Sequence, residues 1–130
     1  MDQQLIGTWV SACLIPDENS PWAEKHQFVI SADGTAVHTR WSNDTQAKDC
    51  ASPTMTLTNN YKITIPASGQ INLYDSEKQG TAYDIYQISG TTLLFGHGFR
   101  GDKAAYPAHQ GSSEADRIES LNQFIIYSKK

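Results

Sequence analysis

The sequence predicts one all-β domain over residues 1–130, an eight-stranded antiparallel up-and-down β-barrel. Apolar residues alternate with polar ones in short segments, eight such segments can be counted, and turn signals separate them. The connections are short at one end of this meander and mostly long at the other. This asymmetry is typical of a barrel with one end closed by tight turns and the other end carrying long loops. A chain of this length fits a single domain.

The fourth segment, residues 54–65, gives the strongest strand signal because its two faces differ so clearly in polarity. Apart from Asn59, every second position is apolar, and the positions between are polar, mostly threonine. Seven weaker alternations cover residues 5–13, 26–30, 37–41, 71–73, 82–88, 93–99 and 124–126. The large side chains predicted to face the interior are Trp9, Phe28, Trp41, Met55, Tyr61, Tyr83, Phe95, Phe99 and Phe124. The same pattern puts His26 and His38 on different faces.

Turn residues mark the short connections, which we place at the base of the barrel. Asp33-Gly34 tolerates positive φ and predicts a tight hairpin, and residues 66–69 and 89–90 predict two further turns. The long connections 14–24, 43–53 and 100–120 then lie at the opposite end, the top. Residues 114–122 are compatible with a short helix before the last strand or with an irregular loop.

The two cysteines, Cys13 and Cys50, both map to the top of the barrel. This placement favours one disulfide bond in an oxidising compartment, the alternative being two free thiols in a cytosolic protein. We therefore expect a periplasmic or secreted protein whose signal peptide has been removed, since the sequence after Met1 does not read as one.

Charge and motif content exclude several classes of function. The net charge of −4 and the absence of a basic cluster argue against a nucleic-acid partner. The apolar runs are too short for a membrane-spanning helix. We find no catalytic motif, no cofactor motif and no metal-ligand spacing, so we expect neither an enzyme nor a bound metal or cofactor.

The opening Gly7-Thr8-Trp9 resembles the Gly-x-Trp signature of lipocalin-like (calycin) barrels. Residues 9–13, Asp44, Cys50 and the ending 117–129 also resemble small exported bacterial lipocalin-like proteins. The resemblance implies that Trp9 packs across the closed end and that Gly7 lets it fit. Lipocalins usually cover this tryptophan with an arginine, but Arg117 maps to the top here. Lys129, which maps to the base, is the candidate to take its place.

Our first hypothesis is a binding module that holds a small apolar or amphipathic ligand at the top rim, where long loops meet aromatic residues at the upper strand ends. We predict that Trp41, His97 and Phe99 line this site and that Trp22 closes over it. The first alternative is that these aromatic residues fill the core and leave no cavity. A second is a protein-interaction module, such as a periplasmic protease inhibitor, with a partner at the long-loop end. An enzyme on the same barrel is a third, without a residue set to support it.

Overall fold

The structure, a computed structural model, describes residues 1–15, 22–43, 49–95, 113–115, 117 and 125–130. A 3-10 turn, Gln3–Leu5, precedes eight strands, which are β1 Gly7–Ser11, β2 Ala23–Ile30, β3 Thr35–Asn43, β4 Met55–Thr64, β5 Gln70–Asp75, β6 Gly80–Ser89, β7 Thr92–Phe95 and β8 Ile125–Lys129. The strands pair antiparallel in chain order, and β8 pairs back with β1 to close one barrel. The predicted fold is confirmed.

The short turns lie at one end of the barrel, the base, as predicted. In the β2–β3 turn the Asp33 carboxylate accepts hydrogen bonds from the backbone nitrogen and the hydroxyl of Thr35, at 3.0 and 2.7 Å. Gly34 follows with a φ of 86°, which explains the glycine at this position. Most of the helix considered at residues 114–122 lies outside the described residues.

The apolar core occupies the lower half of the barrel, next to the base. Trp9 is fully buried there, and its indole nitrogen donates a hydrogen bond of 2.8 Å to the Leu5 carbonyl in the 3-10 turn. The Tyr86 hydroxyl bonds the Asp2 carboxylate at 2.8 Å and holds the same turn in place. Other buried members of the core are Phe28, Ile30, Ala36, Ile63, Ile71, Leu73, Leu93, Phe95, Ile125 and Tyr127.

Lys129 covers Trp9 at the base, as its position in the predicted meander led us to expect. Its ammonium nitrogen lies 5.5 Å from the centroid of the Trp9 ring, within the range of a cation–π contact. Arg117 is far from this position, because it lies against the wall formed by β5 and β6. There it donates to the carbonyls of Ile71 and Asp84 and stacks over the ring of Tyr83.

Cys13 and Cys50 form a disulfide bond at the top of the barrel, as predicted, with their Cα atoms 5.7 Å apart. The bond connects the β1–β2 connection to the β3–β4 connection. A pair of backbone hydrogen bonds between Leu14 and Glu24, at 2.7 and 2.8 Å, extends the β1–β2 ladder towards the same end.

The predicted facing of several strands was wrong. Phe28 pairs with His38 across β2 and β3, so His38 faces the interior and Trp41, three residues later, faces outwards. On β6 the interior positions belong to Asp84 and Tyr86, and Tyr83 is therefore on the outer wall. Among the nine interior side chains predicted, Trp9, Phe28, Tyr61 and Phe95 are buried in the core, Met55 is exposed, and Phe99 and Phe124 lie outside the described residues.

Candidate functional site

The upper half of the barrel interior is lined by polar side chains. Five of them, together with the hydroxyl of the core residue Tyr127 on β8, form what we call the interior polar cluster; the five come from β2 and β3 and are Glu24, His26, His38, Arg40 and Ser42. All are buried except Arg40, whose side chain is 11% exposed. Buried ionisable groups are uncommon unless they are paired or serve a function, which makes this cluster the candidate site.

The β2–β3 ladder brings most of the cluster together. His26 pairs with Arg40 and Glu24 pairs with Ser42, in the same register that places Phe28 opposite His38. Because alternate residues of a strand point to the same face, both polar rows project into the barrel above Phe28. The Ser11 hydroxyl accepts a 2.8 Å hydrogen bond from the His26 backbone nitrogen and fixes β1 against this level.

The two histidines form one hydrogen-bonded and stacked unit. His26 Nδ1 lies 2.9 Å from His38 Nε2, so one ring donates and the other accepts. Their rings are nearly parallel, with centroids 5.1 Å apart, and His38 also stacks on Phe28 at 4.4 Å. The contact cannot survive with protons on both facing nitrogens.

Glu24 lies beside this unit and is approached by two basic groups at the same oxygen. His26 Nε2 is 3.4 Å and Arg40 Nε is 3.9 Å from Glu24 Oε2. The Arg40 guanidinium in turn lies 6.0 Å from the centroid of the Trp22 ring at the top rim. The opposite charges of Glu24 and Arg40 attract each other, yet both distances are longer than an ideal charge-assisted hydrogen bond.

Several buried polar atoms of the cluster have no hydrogen-bond partner among the described residues. They are both carboxylate oxygens of Glu24, the Nε2 atom of His26 and the hydroxyl oxygens of Ser42 and Tyr127. Leaving such a group unpaired costs about 1–3 kcal/mol, and more when it is charged. Native proteins satisfy most buried polar groups, so the hydrogen-bonding capacity of these atoms is unused within the described residues.

Burial and negative charge act together on the tyrosines of this region. Burial raises the pKa of Tyr127 well above its usual value, and the charge of Glu24 raises it further. Burial also raises the pKa of Tyr61, to which the charges of Asp75 and Asp84 contribute. The charge of Glu24 thus acts on Tyr127, whereas the charges of Asp75 and Asp84 act on Tyr61.

The structure describes two of the four residues predicted to line the ligand site. Trp41 lies on the outer face of β3, and Trp22 lies at the top rim against Arg40. His97 and Phe99 fall outside the described residues. The interior polar cluster was missed, although Glu24-x-His26 and His38-x-Arg40-x-Ser42 have the period of a strand face. The polarity of the second row suggests an outer face, whereas the sequence pattern puts His26 on the inward face with Phe28.

Comparisons with known proteins add no relative: no protein family matches the chain, nor does any curated protein or solved structure. Within the described part of the chain, no three His, Cys, Asp or Glu side chains are arranged to hold a metal ion. No helix formed by those residues is long and apolar enough to cross a membrane. The fold and site define a closed β-barrel with an apolar base and a buried polar upper interior.

Proposed function

We propose that this protein is an exported binding protein that holds one small amphipathic ligand in the upper half of its barrel. The observation that carries the proposal concerns two buried residues, Glu24 and Tyr127. Their side-chain oxygens have no hydrogen-bond partner among the described residues. A ligand that hydrogen-bonds these two groups removes the cost of their burial. An eight-stranded barrel has room for one small ligand when side chains do not fill it completely.

The surroundings of the cluster favour an amphipathic ligand over a purely apolar one. Polar groups converge on the centre, whereas aromatic rings lie below and above it. Phe28 and Phe95 pack edge-to-face beneath the cluster, with centroids 5.2 Å apart, and Trp22 lies at the rim. A few fixed polar groups within apolar walls are the usual composition of a small-molecule site.

Binding fits this arrangement better than catalysis. Ser42 pairs with Glu24 across β2 and β3, but its hydroxyl oxygen makes no hydrogen bond to either histidine. A serine nucleophile needs a base within hydrogen-bond reach, and this cluster does not supply that pair. The histidines instead bond each other.

Native mass spectrometry of the protein purified from its own host tests the proposal directly, because a retained ligand adds a discrete mass. We expect such a species in the wild type and in Tyr86→Phe, and a reduced amount in Tyr127→Phe. Tyr86 is the matched control, since its hydroxyl bonds Asp2 near the base. A bare protein mass, together with no thermal stabilisation by any member of a panel of fatty acids, retinoids and aromatic amines, would contradict ligand carriage.

A protein-interaction module is the second candidate, and one observation favours it. β5 pairs only with residues 61–64 of β4, so residues 55–60 have no β5 partner. We call residues 55–60 the β4 edge; Met55 and Leu57 on it are 40% and 43% exposed. An extended segment of a partner protein can add to such an edge as a strand. Co-purification of one partner with the wild type and Tyr74→Lys, but not with Leu57→Lys, would support this candidate.

A further inference from the structure

We infer that the ligand presents an ammonium group to Glu24, and that the protein therefore binds a small organic amine with an apolar or aromatic body. This inference rests on the proposed function and names its ligand class. Three features of the upper interior carry it: the balance of buried charge, the hydrogen-bonding capacity of the unpaired atoms, and the aromatic rings around them.

Among the described residues, the upper interior holds two buried carboxylates and one guanidinium. Glu24 is 0% exposed and lies 3.9 Å from the Arg40 Nε atom, and Asp75, at the upper end of β5, is 7% exposed. The Asp75 carboxylate accepts hydrogen bonds from the Glu77 and Lys78 backbone nitrogens. An anionic ligand would add to the buried negative charge, whereas a cation offsets it.

The unpaired oxygens of the cluster match a group that only donates hydrogen bonds. An ionised carboxylate accepts hydrogen bonds and cannot donate them, and an ammonium group carries three donors and no acceptor. His26 and Arg40 both approach the Oε2 atom of Glu24, and these two contacts do not involve its Oε1 atom. The buried hydroxyl oxygens of Tyr127 and Ser42 are further unpaired acceptors of the cluster. A hydroxyl ligand offers a single donor, and a carboxylate ligand offers none.

One aromatic ring lies near the Glu24 carboxylate, and another lies beside the neighbouring Arg40 guanidinium. Tyr127 lies close enough for the Glu24 charge to act on it, and its ring packs edge-to-face on Phe28, with centroids 5.7 Å apart. Trp22 already faces a cation, the Arg40 guanidinium, at the rim. Carboxylates flanked by aromatic faces are well suited to organic cations, because the ring quadrupole attracts positive charge.

Isothermal titration calorimetry with three ligands that share a phenylalkyl group tests the inference. The probes are 2-phenylethylamine, 2-phenylethanol and 3-phenylpropanoate at pH 7, which differ chiefly in the polar group. We expect the amine to bind at least about tenfold more tightly than the other two, the difference made by one charge-assisted hydrogen bond. Glu24→Gln should weaken amine binding by about tenfold or more and change alcohol binding much less.

Glu77→Gln is the matched control, because it removes the same charge from an exposed position on the β5–β6 turn. It should leave the affinity for the amine within about twofold of the wild type. Circular dichroism and urea unfolding establish that Glu24→Gln folds. If it does not, Tyr127→Phe takes its place, and a weakening of amine binding is again expected.

The outcomes separate the ligand class from the proposed function. Tighter binding of the alcohol or the carboxylate overturns the amine assignment and leaves the binding barrel in place. Amine binding that Glu24→Gln does not weaken overturns it in the same way. If none of the three probes binds, the amine assignment is overturned; if the native protein also carries no small molecule, the binding function is overturned with it.

Discussion

The Lys129 ammonium lies 5.5 Å from the centroid of the Trp9 ring, and a Cβ atom on Gly7 would come within 2.8 Å of Lys129 Cε. Trp9 and Lys129 are paired across β1 and β8, the two strands that close the barrel. The glycine, the tryptophan and the lysine therefore form one packing unit at the base. This unit gives the Gly-x-Trp sequence a physical reason, with lysine in the covering position where the resemblance leads us to expect arginine.

Trp9→Ala should destabilise the protein by about 3–5 kcal/mol, the usual range for truncating a large core aromatic. Trp9 is fully buried, and the mutation also removes its hydrogen bond to the Leu5 carbonyl. Urea unfolding at equilibrium, followed by far-UV circular dichroism, measures the change in the free energy of unfolding. A loss below about 1 kcal/mol would mean that the base does not depend on Trp9.

Gly7→Ala should cost about 1–3 kcal/mol, chiefly through backbone strain. Gly7 has a φ of 139°, a conformation that side-chain-bearing residues rarely adopt, whereas the atom its Cβ would meet belongs to the flexible end of Lys129. The double variant Gly7→Ala/Lys129→Ala separates the two causes. If strain is the cause, Gly7→Ala should destabilise the Lys129→Ala variant as much as it destabilises the wild type. If the steric contact with Lys129 is the cause, most of that loss should disappear in the Lys129→Ala background.

The Cys13–Cys50 disulfide should contribute about 4 kcal/mol to the free energy of unfolding, given a sequence separation of 37 residues in the chain-entropy account. Thiol titration of the denatured, unreduced protein should find no free thiol from these two cysteines. The double variant Cys13→Ser/Cys50→Ser, compared by urea unfolding with the wild type before and after reduction, should match the reduced wild type. Two reactive thiols in the unreduced protein would argue against the oxidising compartment that we propose.

The sequence predicted the strand order well and the strand facing poorly, and β3 shows why. Alternation fixes the period of a strand but not which of its two rows faces inwards. Val37 and Trp41 make one row of β3 look apolar, so the polar row of His38 and Arg40 was assigned to solvent. Pairing with β2 decides the question, because Phe28 brings His38 into the barrel. That register is a long-range property, and the same ambiguity hid the polar cluster.

Alkaline pH should destabilise the protein through its buried tyrosines. Burial and the hydrogen bond to Asp2 raise the pKa of Tyr86 to about 12, whereas a tyrosine in the unfolded chain titrates near 10. The stabilisation is therefore complete below about pH 10 and is lost as the pH rises towards 12, since the unfolded state releases the proton first. Urea unfolding at a series of pH values between 9 and 12 measures how steeply the free energy of unfolding falls with pH. Tyr86→Phe should make it shallower; an unchanged slope would show that Tyr86 does not contribute.

Tyr127→Phe should stabilise the ligand-free protein by about 1 kcal/mol, because it removes a buried hydroxyl that has no hydrogen-bond partner among the described residues. The ring itself stays in place against Phe28, so packing is preserved. Tyr86→Phe is the matched comparison and should destabilise by about 0.5–1.5 kcal/mol, since its hydroxyl donates a 2.8 Å hydrogen bond to Asp2. Urea unfolding of both variants at pH 7 measures the two changes in the free energy of unfolding, which should have opposite signs. A gain in stability together with weaker ligand binding is what a hydroxyl kept for function produces, because binding groups are retained at a cost to the unliganded fold. Equal destabilisation by the two variants would show that the Tyr127 hydroxyl is already satisfied within the protein, and Glu24 would then be left as the one anchor for the ligand.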